Sequence, residues 1–364
     1  MKRTVGIVLA VLLAIGVVAA VVVGSGMVGL GGSVASRNVV VVRGVIGSEK
    51  KPFFDDPEVQ QILRDKGYDV QVETAGSRQI ATLDNLTDYD FAFPSSAPAA
   101  ERIKRANKTS GAFTPFSSPM AVATYTPIEK ALAPTGILKR ENGVLIFDVD
   151  KYLQGVDDGL RWDKIPKNTT YPASKSVLVT TSDVRKSNSA AMFLSIASYV
   201  ANGNNVVSSK PQATKVLPQM TRIFLDQGYS ESSTEAPFED YLSLGKGKTP
   251  MVLAYEAQFL DRQMRADGSI TDEMVLAYPK PEVLSKHTVL AFKDPGREVG
   301  RLLSEDPQLQ RLAAVHGFRP QSRQVFTDVL KERKVASPPE LVDVIEPPAY
   351  EMLETMIVGI EKQY

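Results

Sequence analysis

Nine residues, VVVVRGVIG from Val39 to Gly47, constrain the fold of this chain most. A β-branched run with so little polar alternation reads as a strand needing apolar cover on both faces, the habit of a parallel sheet flanked by helices. The next fifty residues meet that demand. The run ends in the loop GSEKKPFF, and a helix is expected from Asp55-Asp56-Pro57, an acidic cap with proline in the first turn, to Gly67. VQVETAG (70–76) is a second strand, and DYDFAFPSS (88–96) a third, finishing in Ser95 and Ser96 just before the helix PAAERIKR. The order is βαβαβ. In such sheets ligands gather beyond the carboxyl ends of the strands.

The stretch VLVTTSDVRKSNSAAMFLSIASYVA (177–201) repeats the scheme: a buried strand, a polar turn from Thr180 to Asn188, and an apolar helix whose first turn is SNSA. A helix start exposes unpaired backbone N–H groups and the positive end of the helix dipole, which suits a small anion or polar ligand. Ser and Asn at such places are also ordinary caps. Taken together, GSEK, PSS and SNSA describe a cleft lined by hydroxyls and backbone amides. Glu49, Lys50, Arg78, Arg185 and Lys186 are the charged candidates beside it.

FSSPMAVATYTPIEKAL (116–132), apolar and interrupted by Pro119 and Pro127, reads as an extended crossing into a second domain. There GVLIFDVDKYLQG supplies a strand and a short helix, Trp162 a core or cleft-edge side chain, and Pro211–Gly228 a helix with apolar residues at helical spacing. MVLAYEAQFLDRQM (251–264) gives a strand ending at Tyr255-Glu256, then another helix. VLAYPKPEVLSKHTVLAFKD (275–294) is the return crossing, with Tyr278 and two prolines at the hinge, and the remainder is helical. In AYEMLETMIVGIEKQ, Leu353, Met356, Ile357 and Ile360 fall on one face. The expected division is lobe I from 38–122 and 279–364, and lobe II from 123–278.

Residues 1–36 form a separate unit. After Met1-Lys2-Arg3 no charge occurs until Arg37, and Val5–Val23 is long enough to cross a bilayer, with the positive end favouring a cytoplasmic N-terminus. That length favours an uncleaved transmembrane anchor over a signal peptide, although Ser33-Val34-Ala35 would serve for cleavage. GSGMVG (24–29) matches a dinucleotide fingerprint in letters only, since no helix follows it, and reads as a flexible tether. The folded part is expected outside the cytoplasm.

Several function classes are disfavoured. Forty-two basic and forty-two acidic residues cancel, which argues against nucleic acid or an anionic membrane surface as partner. Cysteine is absent, so no disulfide, thiolate metal site, thiol nucleophile or lipidated cysteine is possible. His287 and His316 are the only histidines and read as packing or surface residues, leaving no ligand set for a metal; no cofactor is expected. GKGKT (245–249) lacks the first glycine of a phosphate loop and is followed by proline and a strand. Asp148 and Asp150 offer a carboxylate pair, but no serine elbow or other enzyme motif accompanies them, so the chain is not expected to be an enzyme.

The order of anchor, first lobe, crossing, second lobe and return resembles the type II periplasmic solute-binding proteins of ABC transporters. The residues carrying the resemblance, across roughly 38–335, are GSEKKPF, FAFPSSAPAA, VLVTTSDVRKSNSAAMF, VLAYEAQF, LAYPKPEVLSKH and LQRLAAVHGFRP. It implies a two-lobed α/β fold with parallel or mixed sheets and two hinge crossings. It further implies that Ser48, Ser95, Ser96, Thr181, Ser187, Asn188, Ser189 and Tyr255 face a small polar or anionic solute. The partner would be an ABC permease or another envelope component. A chain held by a transmembrane helix departs from the released or lipid-anchored pattern, which leaves delivery to a permease, sensing and non-catalytic scaffolding as open roles.

Overall fold

In the computed structural model, which describes residues 39–364 apart from Tyr229 and Pro339, the β-branched run becomes β1 (Val40–Ile46). It pairs in parallel with β2 (Tyr68–Thr74) on one side and β3 (Phe91–Phe93) on the other. Only its second half has the double cover its composition suggests: Val42, Val45 and Ile46 are buried, whereas Val40 and Val41 are 43% and 49% exposed. Gly44 makes the close packing there possible, because a Cβ would fall 2.1 Å from Cζ of Phe91.

β4 (Gly111–Tyr125) and β9 (Glu282–Ala291) organise the rest. β9 runs antiparallel to β3 and to residues 111–119 of β4. Beyond Pro119, β4 pairs instead with β7 (Val252–Tyr255) and β8 (Met274–Lys280), both antiparallel. β8 is also parallel to β6 (Val144–Asp148), which is antiparallel to β5 (Leu138–Glu141). Two short strands complete the set, β10 (Arg319–Pro320) on β4 and β11 (Val344–Ile345) on β9. One strand therefore serves two sheets. The chain passes between them at Pro119–Met120 and again at Pro281, whose peptide bond to Lys280 is cis. The result is a two-lobed α/β architecture with mixed sheets.

Local signals set most helix starts. Asp56 caps the helix Pro57–Asp65 by accepting from the amides of Glu58 and Val59, and Asp306 does the same for Pro307–Val315. Other segments differ from the sequence-based expectation. Residues 177–179 are not a strand; the stretch makes a single parallel bridge, Thr180 to Val252, because β7 is too short to support a longer ladder. The crossing at 116–132 is extended only to Tyr125, after which Thr126–Leu132 is helical with Pro127 in its first turn, where a missing N–H costs nothing. Trp162 is a core residue, packed edge-on against Tyr171. GKGKT is a loop and turn, as its proline requires.

The C-terminal helix Tyr350–Glu361 buries Leu353, Met356, Ile357 and Ile360 and packs mainly on the helix Lys210–Leu225, while also touching Ala97–Ala106. Gly359 admits the Leu217 side chain, whose Cδ2 would lie 2.7 Å from a Cβ. Among the described residues no helix is long and apolar enough to cross a membrane; the anchor expected within residues 1–36 lies outside the described residues.

Candidate functional site

Because β1, β2 and β3 are parallel, their carboxyl ends share one edge, and the three junctions that extend from them meet there. They enclose one side of a cavity of about 250 Å³. From β1 come Gly47, Ser48 and Glu49, from β2 Thr74, Gly76, Ser77 and Gln79, and from β3 Ser95. The facing side is made by Ser187 and Asn188 at the start of the helix Asn188–Ala201, by Ser232–Glu235 before and at the start of Glu235–Leu244, and by Tyr255 at the end of β7.

Six of the ten residues singled out in the sequence line this cavity: Ser48, Glu49, Ser95, Ser187, Asn188 and Tyr255. The other four lie behind its wall. Ser96 is buried at the start of the helix Ala97–Ala106. Thr181 is tied by its amide and hydroxyl to the Gln227 side chain, at 2.7 and 2.9 Å. Ser189 bonds the hydroxyls of Ser182, Ser187 and Thr234 at 2.9, 3.0 and 2.6 Å, a relay that orders the helix start from within. Lys50 is fully buried.

The environment of Lys50 explains its burial. Its ammonium donates to Glu49 Oε1 at 2.5 Å, to Ser95 Oγ at 2.7 Å and to His287 Nδ1 at 3.1 Å, using all three protons. The Phe93 ring lies 4.9 Å from the ammonium nitrogen. Without such partners a buried ammonium would cost several kcal/mol, on the order of a Born penalty after relaxation. Burial lowers the Lys50 pKa, and the Glu49 carboxylate works against that. Since lysine only donates, His287 Nδ1 must accept and Nε2 carries the imidazole proton; burial, then the nearby ammonium, holds the His287 pKa well below its ordinary value. Nε2 is buried and has no hydrogen-bond partner among the described residues.

Asn188 pins the facing wall. Its Nδ2 lies 2.9 Å from Tyr255 Oη, 3.2 Å from the Ser95 carbonyl and 3.2 Å from Ser285 Oγ, so one amide touches the ends of β3 and β7 and the middle of β9. Ser285 also donates to the Ser95 carbonyl. Burial raises the Tyr255 pKa well above the ordinary range, with the Glu49 carboxylate adding to it, so the phenol stays neutral. Ser187, the N-cap of this helix, makes no side-chain capping bond, which leaves the first-turn amides without that partner.

Two of the charged candidates next to this edge, Arg78 and Arg185, are engaged elsewhere. Arg78 makes a forked pair with Glu354 of the C-terminal helix, at 2.8 and 2.9 Å, and donates to the Arg185 carbonyl at 2.8 Å. Arg185 pairs with Asp183 at 2.7 Å and lies over the Tyr364 ring at 4.0 Å. Lys186 is exposed, and its carbonyl approaches Gly76 so closely that a Cβ there would be 2.0 Å away. Thus the turn after β2 and the turn before Asn188 touch at the cavity mouth. Of the 74–79 turn the sequence singles out only Arg78, and of Ser232–Glu235 nothing. The signal in the second, SESSTEAPF, is the same hydroxyl-rich helix start found elsewhere in the chain. Among the described residues no group of His, Asp or Glu is placed to hold a metal ion.

His316 adds a second polar link at a neighbouring surface. Nδ1 is 2.8 Å from Asp261 and Nε2 is 3.0 Å from Asp56, so both nitrogens face carboxylates, an arrangement only the imidazolium satisfies in full. Burial alone would lower its pKa, but Asp261 and Asp56 together raise it. A raised folded pKa contributes stability in full below about 6.5 and loses it as pH climbs through the raised value. Urea unfolding of the protein and of His316→Gln should therefore show a stability difference that shrinks as pH rises above about 6.5. A constant difference would exclude the charged link.

No protein-family model matches the sequence, and no curated protein does either. Solved structures do match. A periplasmic thiamin binding protein superposes with a TM-score of 0.57 at 11% identity, over 93% of this chain and 99% of the other. The periplasmic binding protein AfuA from Actinobacillus pleuropneumoniae, solved with fructose-6-phosphate, gives 0.56 at 10% identity over 90% and 98%. The sulfate-binding protein SubI from Mycobacterium tuberculosis H37Rv gives 0.52 at 15% identity over 89% and 99%. The fold is that of the periplasmic solute-binding proteins. At these identities the likeness is one of architecture, and in this chain the binding-protein fold places a hydroxyl-rich cavity where the parallel strands end.

Proposed function

We propose that the chain is an extracytoplasmic solute-binding protein that closes two lobes, 38–122 with 279–364 and 123–278, over a small polar or anionic solute. The observation that carries this reading is the cavity itself, whose walls come from six separate chain segments and consist mostly of hydroxyls, with two carboxamides, two carboxylates and an uncapped helix start. Structures of the same fold are named for sulfate, thiamin and fructose-6-phosphate, which supports a solute of this size and polarity. Residues 1–36 would hold the domain to the membrane, or direct its release if cleaved, and the loaded protein would serve an ABC permease or a sensor. The role is binding rather than catalysis.

A second reading rests on a specific observation. The two sides of the cavity are joined by the protein's own groups, through Asn188 to the Ser95 carbonyl and through Arg78 to the Arg185 carbonyl, with the C-terminal helix bonded to Arg78 as well. A domain so fastened would suit an envelope scaffold that keeps the fold and has lost a tight site.

A thermal-shift panel of oxyanions, amino acids and sugars separates the two. A bound solute at about a hundred times its dissociation constant should add roughly 2.7 kcal/mol of apparent stability. If no solute moves the melting temperature, the binding reading fails and the scaffold reading stands.

A further inference from the structure

Formal charge reaches the cavity wall only as carboxylate. Among the described residues lining it, Glu49 and Glu235 are charged and none is lysine or arginine. Three nearby cations are committed elsewhere: Arg78 to Glu354, Arg185 to Asp183, and Lys50, fully buried, to Glu49, Ser95 and His287; Lys186, exposed beside Ser187, does not line the cavity. The Lys50–Glu49 pair thus presents its negative end to the cavity. The Glu49 side chain is only 5% exposed, and its two donors, Lys50 Nζ and Ser95 Oγ, converge on Oε1. Oε2 has no hydrogen-bond partner among the described residues. A carboxylate oxygen at the cavity wall on a side chain otherwise largely buried, with its acceptor capacity unused by the protein, favours an N–H or O–H donor on whatever fills the space.

Another part of the same cavity wall asks for the reverse. The Asn188–Ala201 helix has fourteen residues, opens onto the cavity at Ser187 and Asn188, and lacks a side-chain cap, so its first-turn amides favour an acceptor that is anionic or strongly polar. Donor demand at Glu49 and acceptor demand at Ser187–Asn188 lie within one space of about 250 Å³. A quaternary ammonium has no N–H to offer Oε2, and among the described residues Tyr255 is the only aromatic one lining the cavity, too few for a cage around such a cation. Sulfate or phosphate alone would put negative charge against a carboxylate with no cationic side chain on the wall to offset it.

Resting on the solute-binding reading, we propose that the solute is a small zwitterion of amino-acid type, its primary ammonium donating to Glu49 and its carboxylate or equivalent acid group received by the start of the Asn188–Ala201 helix.

The test uses the purified full-length chain and calorimetric titration of the standard amino acids one by one, then of the deaminated and decarboxylated analogues of whichever binds best. Inorganic sulfate and phosphate run in parallel. The expected result is saturable binding of at least one amino acid, with its deaminated analogue weaker by on the order of ten- to a hundredfold, the worth of a charge-assisted hydrogen bond. The double substitution Glu49→Gln with Lys50→Met removes the pair without stranding a buried charge and should abolish the preference for the amino compound. If that variant does not fold, the comparison of analogues on the unaltered protein decides alone. Binding of sulfate or phosphate with no response to any amino acid overturns the zwitterion and leaves solute binding intact. Equal affinity for the amino acid and its deaminated analogue, or undiminished preference in the folded double variant, also overturns it. Silence toward every compound in both the titrations and the thermal-shift panel overturns the solute-binding reading itself.

Discussion

Replacing Glu256 by alanine should destabilise the protein by about 3–5 kcal/mol, the usual cost of removing one partner of a buried ion pair. Glu256 is fully buried at the start of the helix that succeeds β7 and accepts from Arg319 Nε at 2.7 Å and Nη2 at 2.8 Å. Tyr278 Oη and Ser337 Oγ donate to the same carboxylate at 2.7 and 2.6 Å. These donors come from β10, from β8 just before the return crossing, and from the segment near 337, so one side chain secures the region where the chain passes between sheets. Alanine would leave the Arg319 guanidinium without the carboxylate that offsets its desolvation, and the loss should appear in urea unfolding as a lower midpoint with an unchanged slope. The double variant Glu256→Gln with Arg319→Met should recover most of the loss, since no buried charge is then uncompensated. Equal destabilisation by the single and double variants would mean that packing, and not the charge, dominates this site.

The second large effect is expected at Gly76. Its backbone, φ −65° and ψ 146°, is open to any residue, so the constraint is steric alone. A Cβ would lie 2.0 Å from the carbonyl oxygen of Lys186, far inside contact distance. Neither neighbour can yield cheaply: the Gly76 amide donates to Gln79 Oε1, and the Lys186 amide donates to the Asp183 carbonyl. Gly76→Val should therefore push the 74–79 turn away from the 183–187 turn and stretch the Arg78 bond to the Arg185 carbonyl. Strain of this kind costs about 1–3 kcal/mol, and in this protein it falls on the contact that shuts the cavity mouth. Small-angle scattering should report a larger radius of gyration, and solute affinity should drop at least tenfold while the helical signal is kept. An unchanged radius and unchanged affinity would show that this contact does not control closure.

The residues in these two sites differ in how far they could be read from the chain alone. Ser95, Ser187 and Asn188 stood out because a strand end leading through a small polar residue into an amphipathic or apolar helix is a local pattern, and local hydrogen bonding fixes its outcome. Lys50 was legible only as a charge on a loop. Its burial depends on His287, which lies 237 positions later and reaches it through the pairing of β9 with β3 and β4. Ser189 sits one residue beyond a cavity-lining residue yet turns to Thr234, because helix geometry sends adjacent side chains about 100° apart. His316, read as a packing or surface group, is the centre of two carboxylate contacts from helices far apart in sequence.

The sequence by itself determined most element types and the parallel βαβ start, since periodicity, proline placement and caps act over a few residues. Tertiary structure alone decided which polar groups face the cavity and which are spent on one another. The physical reason lies in desolvation: whether Glu49 is an exposed acid or the negative end of a buried pair depends on what lies behind it, and those neighbours, Lys50, Ser95 and His287, are assembled only when the sheet closes.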